Sequence, residues 1–283
     1  MAIDLDLLLK AYASGIFPMA DARDDPDVFW VEPKARAVIP LDNFQMSRSL
    51  RKTIRSDRFR VTADTAFADV IDICATQAAD RKETWINAEI EEAFVQLHQL
   101  GHAHSIECWQ ADETTGEDRL VGGLYGLAIG GAFCGESMFS RSRDASKVAL
   151  AWLVARLNVG GFELLDCQFM TDHLASLGAI EISQNEYVNK LRKIRGYTPS
   201  SVVSAIRSPI GSAGALVAGG AGRVAAGAGA AGAAVSGAVS FGALDALLAR
   251  LDEDLRGAVG SAESPGVSSS PGKLIAQLLT QTS

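Results

Sequence analysis

Residues 104–140, HSIECWQADETTGEDRLVGGLYGLAIGGAFCGESMFS, decide the fold. Three runs within it, SIECW, RLVGGLYGLAI and GAFCGESMF, read as successive strands. The segment ADETTGED, rich in turn residues and charge, predicts a hairpin loop between the first two, and AIGGAF predicts a second tight turn. Downstream, ASKVALAWLVARLN at 145–158 reads as a buried helix ended by Gly160 and Gly161. FELLDCQF is then a short strand and TDHLASLG a helix. A meander, a helix, a strand and a helix make an α+β (mixed α/β) fold with a central, mostly antiparallel sheet, which fits an N-acetyltransferase-like domain.

Upstream, Leu5, Leu8, Leu9 and Tyr12 recur at helical spacing, with Gly15 as a stop. FWVEPKARAVIP reads as extended segments broken by prolines. Residues 45–56 look helical, as do Phe67, Val70, Ile71 and Cys74, and then Ile90, Ala93, Phe94, Leu97 and Leu100, with Asn87 as N-cap and Gly101 as a stop. Residues 211–240 carry one charge, Arg223, and are mostly Gly and Ala, which drive membrane insertion only weakly; a flexible linker is expected. FGALDALLARLDEDLRG and SSSPGKLIAQLLTQTS beyond it read as short helices. The expected division is a small N-terminal domain over 1–62, an N-acetyltransferase-like domain over 63–197, and a low-complexity linker and tail over 198–283.

The chain has 283 residues, with 26 Lys and Arg against 34 Asp and Glu, a formal charge of -8. That excludes a protein that coats nucleic acid through bulk charge. The distribution is uneven. Residues 34–60 hold Lys34, Arg36, Arg48, Arg51, Lys52, Arg55, Arg58 and Arg60 against only Asp42 and Asp57. Such a stretch is either a solvated helix face or a phosphate-binding patch. The four cysteines form no C-x-x-C pair and the N-terminus lacks the basic start and apolar run of a signal peptide, so free thiols and a cytoplasmic protein are expected.

Three side chains stand out chemically. Glu136 lies in an otherwise apolar strand and needs a partner or a function. Without a bulge, Phe133, Gly135, Ser137 and Phe139 share one face and Cys134, Glu136 and Met138 the other. Asp166 and Gln168, two apart, would point to one face, where the acid can fix the amide; Cys167 would point away. Each admits a purely structural role. His102, His104 and Glu107 make only a weak zinc signal, so no metal is expected; His173 sits near the candidate segment and is a helix cap or an orienting group.

Five collinear segments resemble the bacterial leucyl/phenylalanyl-tRNA–protein transferases: AYASGIFPM, FWVEPKARAVIP, TWINAEIEEAFVQLHQLGHAHSIECW, LVGGLYGLAIGGAFCGESMFSRSRDASKVAL and LLDCQFMTDHLASLGA. The resemblance covers roughly residues 5–192. It implies transfer of a leucyl or phenylalanyl group from aminoacyl-tRNA to the N-terminal amine of proteins beginning with Arg or Lys, marking them for N-end-rule degradation. No DNA, membrane or cofactor is implied, and a monomer is expected. By resemblance Asp166 and Gln168 are the catalytic pair, with Asp166 polarising Gln168; Glu136 belongs to the same polar site or holds the acceptor's cationic end, a role that Asp166 could equally fill. The aminoacyl pocket corresponds to Leu124, Phe133, Met138, Leu150, Leu153 and Leu165, adaptable enough to accept Met as well. Trp30 and Trp85 would flank the terminal adenosine, and Lys34, Arg36, Arg48, Arg51, Lys52 and Arg55 would meet acceptor-arm phosphates. Met19 stands where a Trp is usual after GxFP, and FWVEP replaces WWSP near the proposed adenosine site.

Two other readings compete. An acyl-CoA-dependent acetyltransferase of similar fold would need a pyrophosphate-cradling Q/R-x-x-G-x-G/A turn, which RSRDASK lacks. An inactive adaptor binding tRNA or protein N-termini would have no need of Glu136, Asp166 and Gln168 together.

Overall fold

A computed structural model describes residues 2–76, 84–112, 114–194, 239–259 and 270–281. The chain is α+β. Helix α1 (Leu5–Ala13) starts where the Asp4 side chain caps the Leu7 amide, and leads into a two-stranded ribbon of β1 (Phe17–Met19) and β2 (Phe29–Val31). The remaining strands are β3 (Ala35–Ile39), β4 (Arg60–Ala63), β5 (Ala103–Ala111), β6 (Asp118–Ile129), β7 (Ala132–Ser140), β8 (Leu164–Asp166) and β9 (Ile180–Ser183). They form one sheet in the order β4-β5-β6-β7-β8-β3-β9, antiparallel except for β7 with β8. The predicted meander is therefore present as β5–β7, with its turns where the sequence placed them.

Helices cover both faces. On one, α1, α3 (Phe67–Ala75), α4 (Ala88–Gln99) and α7 (Gln184–Lys193) bury Leu8, Tyr12, Phe67, Ile90, Phe94 and Tyr187 against Tyr125, Leu127 and Cys134. Asn87 caps α4 as expected, accepting from the Ile90 amide at 2.9 Å. On the other face α5 (Ala145–Val159), largely apolar and buried almost all round, packs on Ile106, Leu124, Phe133 and Leu165. Helix α2 (Arg48–Arg55) lies beside it through Leu50 and Ile54.

Two expectations about organisation are corrected. The division at residue 62 does not follow the sheet: β3 sits between β8 and β9, and β4 forms the edge at the other end. The core likewise runs from α1 straight into α3 and α4. Nor does the packed body end near 198. Helices α8 (Ala243–Val259) and α9 (Pro271–Gln281) dock on the α5 face. Phe241, Leu244, Ile275 and Leu279 are buried there. Arg156 of α5 forms a two-pronged pair with Asp245, both contacts 2.6 Å, and also donates to the Phe241 carbonyl at 2.9 Å. The chain comes so close at two points that a Cβ would overlap backbone: at Gly160 with the Ser240 carbonyl, and at Gly272 with the Ile54 carbonyl. The Gly272 amide donates to Asp57 at 2.7 Å, tying α9 to the end of α2. The linker expected over 211–240 lies, up to residue 238, outside the described residues. Among the described residues no helix is long and apolar enough to cross a membrane.

Candidate active site

β8 pairs with β7 only as far as Cys134 opposite Asp166. There β8 ends while β7 continues to Ser140, and a cleft of about 540 Å³ opens between β7 and the segment that follows β8. Its walls come from Gly135–Ser140 on one side and Cys167–Phe169 on the other, with Phe17, Met19 and Trp85 from the N-terminal side and α5 closing the base.

Glu136 enters this cleft because of a bulge. The β6–β7 register jumps between Tyr125 and Gly126, which face Ser137 and Gly135, so Glu136 has no opposite residue. The simple alternation expected along β7 is thereby reversed past the bulge. Cys134 and Phe139 pack on one face of the sheet, and Phe133 and Met138 on the other. Part of Glu136 faces the open cleft, but Oε2 is sealed from solvent and lies beside the Tyr12 hydroxyl. Neither atom has a well-formed hydrogen bond among the described residues. Burial pushes the Glu136 carboxyl up to about 8, against the pull of Tyr12, so it is mostly protonated at neutral pH.

Gln168 leaves the strand. Its φ of 56° is left-handed, a conformation that costs a residue with a Cβ about 1–2 kcal/mol. From there its Nε2 donates to Glu136 Oε1 at 3.0 Å. The expected pairing of Asp166 with the Gln168 side chain is corrected: Asp166 Oδ1 accepts from the Gln168 backbone N–H at 2.9 Å. The Asp166 carboxylate is instead engaged by Arg36, with Nε to Oδ1 at 2.9 Å and Nη2 to Oδ2 at 2.6 Å, and by the Tyr187 hydroxyl at 2.9 Å. Arg36, expected among the phosphate-facing cations, is fully buried and cannot reach a phosphate. Apart from it the cationic set is exposed: Lys34, and on α2 Arg48, Arg51, Lys52 and Arg55, opposite the buried Leu50 and Ile54.

Of the expected apolar pocket, Leu124, Met138, Leu150, Leu153 and Leu165 line the cleft. Phe133 does not. It is wholly buried behind them, stacked on Phe241 and edge-on to Phe162. Trp85 lines the cleft, whereas Trp30 is exposed on the ribbon opposite Pro18. Tyr12 and Tyr187 carry no sequence signal for the site, and Arg36 is expected only at phosphates; an arginine in the apolar strand ARAVI is the one available signal of its buried role. Phe169, at the rim, is 47% exposed and edge-on to Phe17. His173 also lines the cleft, with a buried Nε2 that lacks a partner among the described residues. Burial and the nearby Lys147 charge lower its pKa, keeping the ring neutral. Burial raises the Cys167 thiol, so it is no thiolate nucleophile. Glu107 is enclosed by the hydroxyls of Thr62, Thr65 and Ser105, and His104 bonds Asp64 at 2.8 Å. Among the described residues no three potential ligands come together to hold a metal.

Comparison with known proteins identifies the family of the chain. A family model described as leucyl/phenylalanyl-tRNA protein transferase matches residues 38–192, and its N-terminal domain matches residues 1–34. The chain belongs to the leucyl/phenylalanyl-tRNA protein transferase family. A protein of that name from Novosphingobium aromaticivorans is 52% identical over 283 residues, which span 100% of this chain and 97% of that one. Another from Rhizorhabdus wittichii is 66% identical over 187 residues, 66% of this chain and 73% of the relative. A third, from Zymomonas mobilis, is 62% identical over 190 residues, 67% and 69% respectively. As a transferase of this family the chain is an aminoacyltransferase, and Glu136, Asp166 and Gln168 all fall within the matched region.

Proposed function

We propose that the cleft receives the leucyl or phenylalanyl ester at the 3′ end of a charged tRNA and delivers the acyl group to a protein's N-terminal amine. The observation that carries this reading is the Gln168–Glu136 pair at the mouth of an apolar wall. The reaction is ester aminolysis. The amine nitrogen attacks the ester carbonyl, the new C–N bond forms as the C–O bond to ribose breaks, and one amine proton ends on the ribose oxygen. An aminoacyl ester is already activated, so positioning and oxyanion stabilisation are what the protein supplies.

Leu124, Met138, Leu150, Leu153 and Leu165 form an apolar slot for the aminoacyl side chain. Such a wall separates near-isosteres by only about 1–3 kcal/mol, so methionyl transfer is expected at a lower rate. Gln168 is too weak a base to take a proton outright; its amide orients the amine or the carbonyl. Glu136, in a site that also excludes water from Oε2, is the acid nearest to an incoming cationic Arg or Lys N-terminus, whose charge would draw off its proton. Trp85 offers a face for the unpaired terminal adenine, and the exposed cations of α2 meet backbone phosphates.

The direct test is transfer of labelled leucine from Leu-tRNA to peptides beginning with Arg, Lys or Ala, with Phe-tRNA, Met-tRNA and acetyl-CoA as parallel donors. Label is expected on the Arg and Lys peptides from the tRNA donors. No transfer from intact Leu-tRNA refutes the reading, and label from acetyl-CoA would replace it.

A further inference from the structure

We propose that Arg36 and Tyr187 are positioning residues for the transfer reaction: with Asp166 they form a buried clamp that holds Gln168 in the left-handed conformation from which its amide enters the cleft. The inference rests on the reading of Gln168 as the group that meets the substrate.

A glutamine resists this backbone conformation because its Cβ crowds the adjacent carbonyl, so its neighbours must over-determine it. They do so on both sides. The Gln168 N–H donates to Asp166 Oδ1 at 2.9 Å, and its carbonyl accepts from the Ala37 N–H at 3.0 Å. The Cys167 N–H donates to the Ala37 carbonyl at 2.8 Å. Strand β3 thus grips residues 166–168 through its backbone at Ala37 and through the side chain of Arg36.

Asp166 has no capacity left for a substrate. Oδ1 already accepts from Arg36 Nε and the Gln168 amide, and Oδ2 from Arg36 Nη2 and the Tyr187 hydroxyl. Its side chain and that of Arg36 are entirely out of solvent. A carboxylate so occupied acts on the protein backbone; it neither accepts the amine's proton nor binds the acceptor's charge. Arg36 is itself immobilised. Nη1 donates to the Gly15 carbonyl at 3.0 Å, and the guanidinium lies over Phe17 at 4.7 Å and over Tyr187 at 4.5 Å. The clamp therefore joins the α1–β1 turn, β3, β8 and α7 at one point. A buried ion pair is a poor way to gain stability over apolar packing, but a good way to fix one geometry.

The test is a cycle of variants. Tyr187→Phe removes one hydroxyl and keeps the ring against Arg36; Arg36→Lys keeps the charge but not the fork. Each is made alone and together with Gln168→Ala. Single-turnover transfer and aminoacyl-tRNA affinity are then measured separately, with a melting curve for each protein. Tyr187→Phe is expected to slow transfer about tenfold, to leave affinity within about twofold, and to add no further loss once Gln168 is Ala. Arg36→Lys should show the same pattern, more strongly. An equal proportional loss in both backgrounds, or a full rate in Tyr187→Phe, overturns the proposal. A full rate in Gln168→Ala alone overturns the reading of Gln168 itself, and the role of the clamp with it.

Discussion

Replacing Phe241 with alanine tests whether the C-terminal segment is part of the fold. The ring is 8% exposed, stacked on His104 at 4.0 Å and on Phe133 at 5.7 Å, with the Arg156 guanidinium 5.0 Å above it. Truncating a buried phenylalanine costs about 3–5 kcal/mol. Here the lower end applies, because the chain can release the segment rather than hold a cavity, and the loss cannot exceed what docking contributes. At about 2–4 °C per kcal/mol for a domain of 150–250 residues, the midpoint should fall by roughly 6–12 °C. Phe241→Leu keeps most of the burial and should lose about a third as much. Thermal unfolding followed by circular dichroism reads both. A chain ending at residue 200, which sequence alone suggests would fold and work unaided, should melt at least as low as Phe241→Ala, since Leu244, Ile275 and Leu279 go with it. A midpoint within about 1 °C of the full chain for both refutes the docking argument.

Other outcomes follow from the site. Gln168→Ala and Asp166→Ala should each lower kcat by tenfold or more while changing aminoacyl-tRNA binding little; normal turnover in both removes them from the site. Glu136 holds a proton up to about pH 8 in the folded chain, against 4.5 ordinarily. The native state thus binds more protons than the unfolded one between these values, and stability falls as pH rises through them. Glu136→Gln should abolish that fall, so its urea midpoint should exceed the parent's by more at pH 9 than at pH 5; a gap independent of pH counts against a buried, protonated Glu136. Arg51→Ala with Arg55→Ala should weaken tRNA binding and reduce the slope of log K against log salt by about 2, with melting unchanged. An unaltered slope would put the phosphates elsewhere.

The meander, the buried helix α5 and the helix ends at Asn87, Gly15 and Gly101 were legible because each rests on local patterning. What escaped depends on long-range geometry. A single bulged residue at Glu136 reverses every later side chain on β7, and no periodicity in GAFCGESMF announces it. FELLDCQF reads as one strand, yet the chain turns at Gln168 because Asp166 and Ala37 hold it there. Charge counting put Arg36 among the surface cations; its burial depends on a carboxylate 130 residues away. Phe133 has the composition of a pocket residue, but Phe241, from beyond the Gly/Ala-rich segment, covers it.

The insertion of β3 between β8 and β9 also fixes when, during synthesis, an active molecule can exist. Chains emerge N-terminus first, and pairings between distant segments form slowly. Arg36 leaves the ribosome long before Asp166 and Tyr187, and until they arrive its charge must stay hydrated and its strand unpaired on either side. A nascent chain short of α7 therefore holds the apolar slot, Arg36, Asp166 and Gln168, but lacks the Tyr187 hydroxyl that completes the contacts of Asp166. On the proposed role of the clamp, full activity waits for α7, the last of its segments to be made, and a chain that stops before β8 leaves β3 with an open edge.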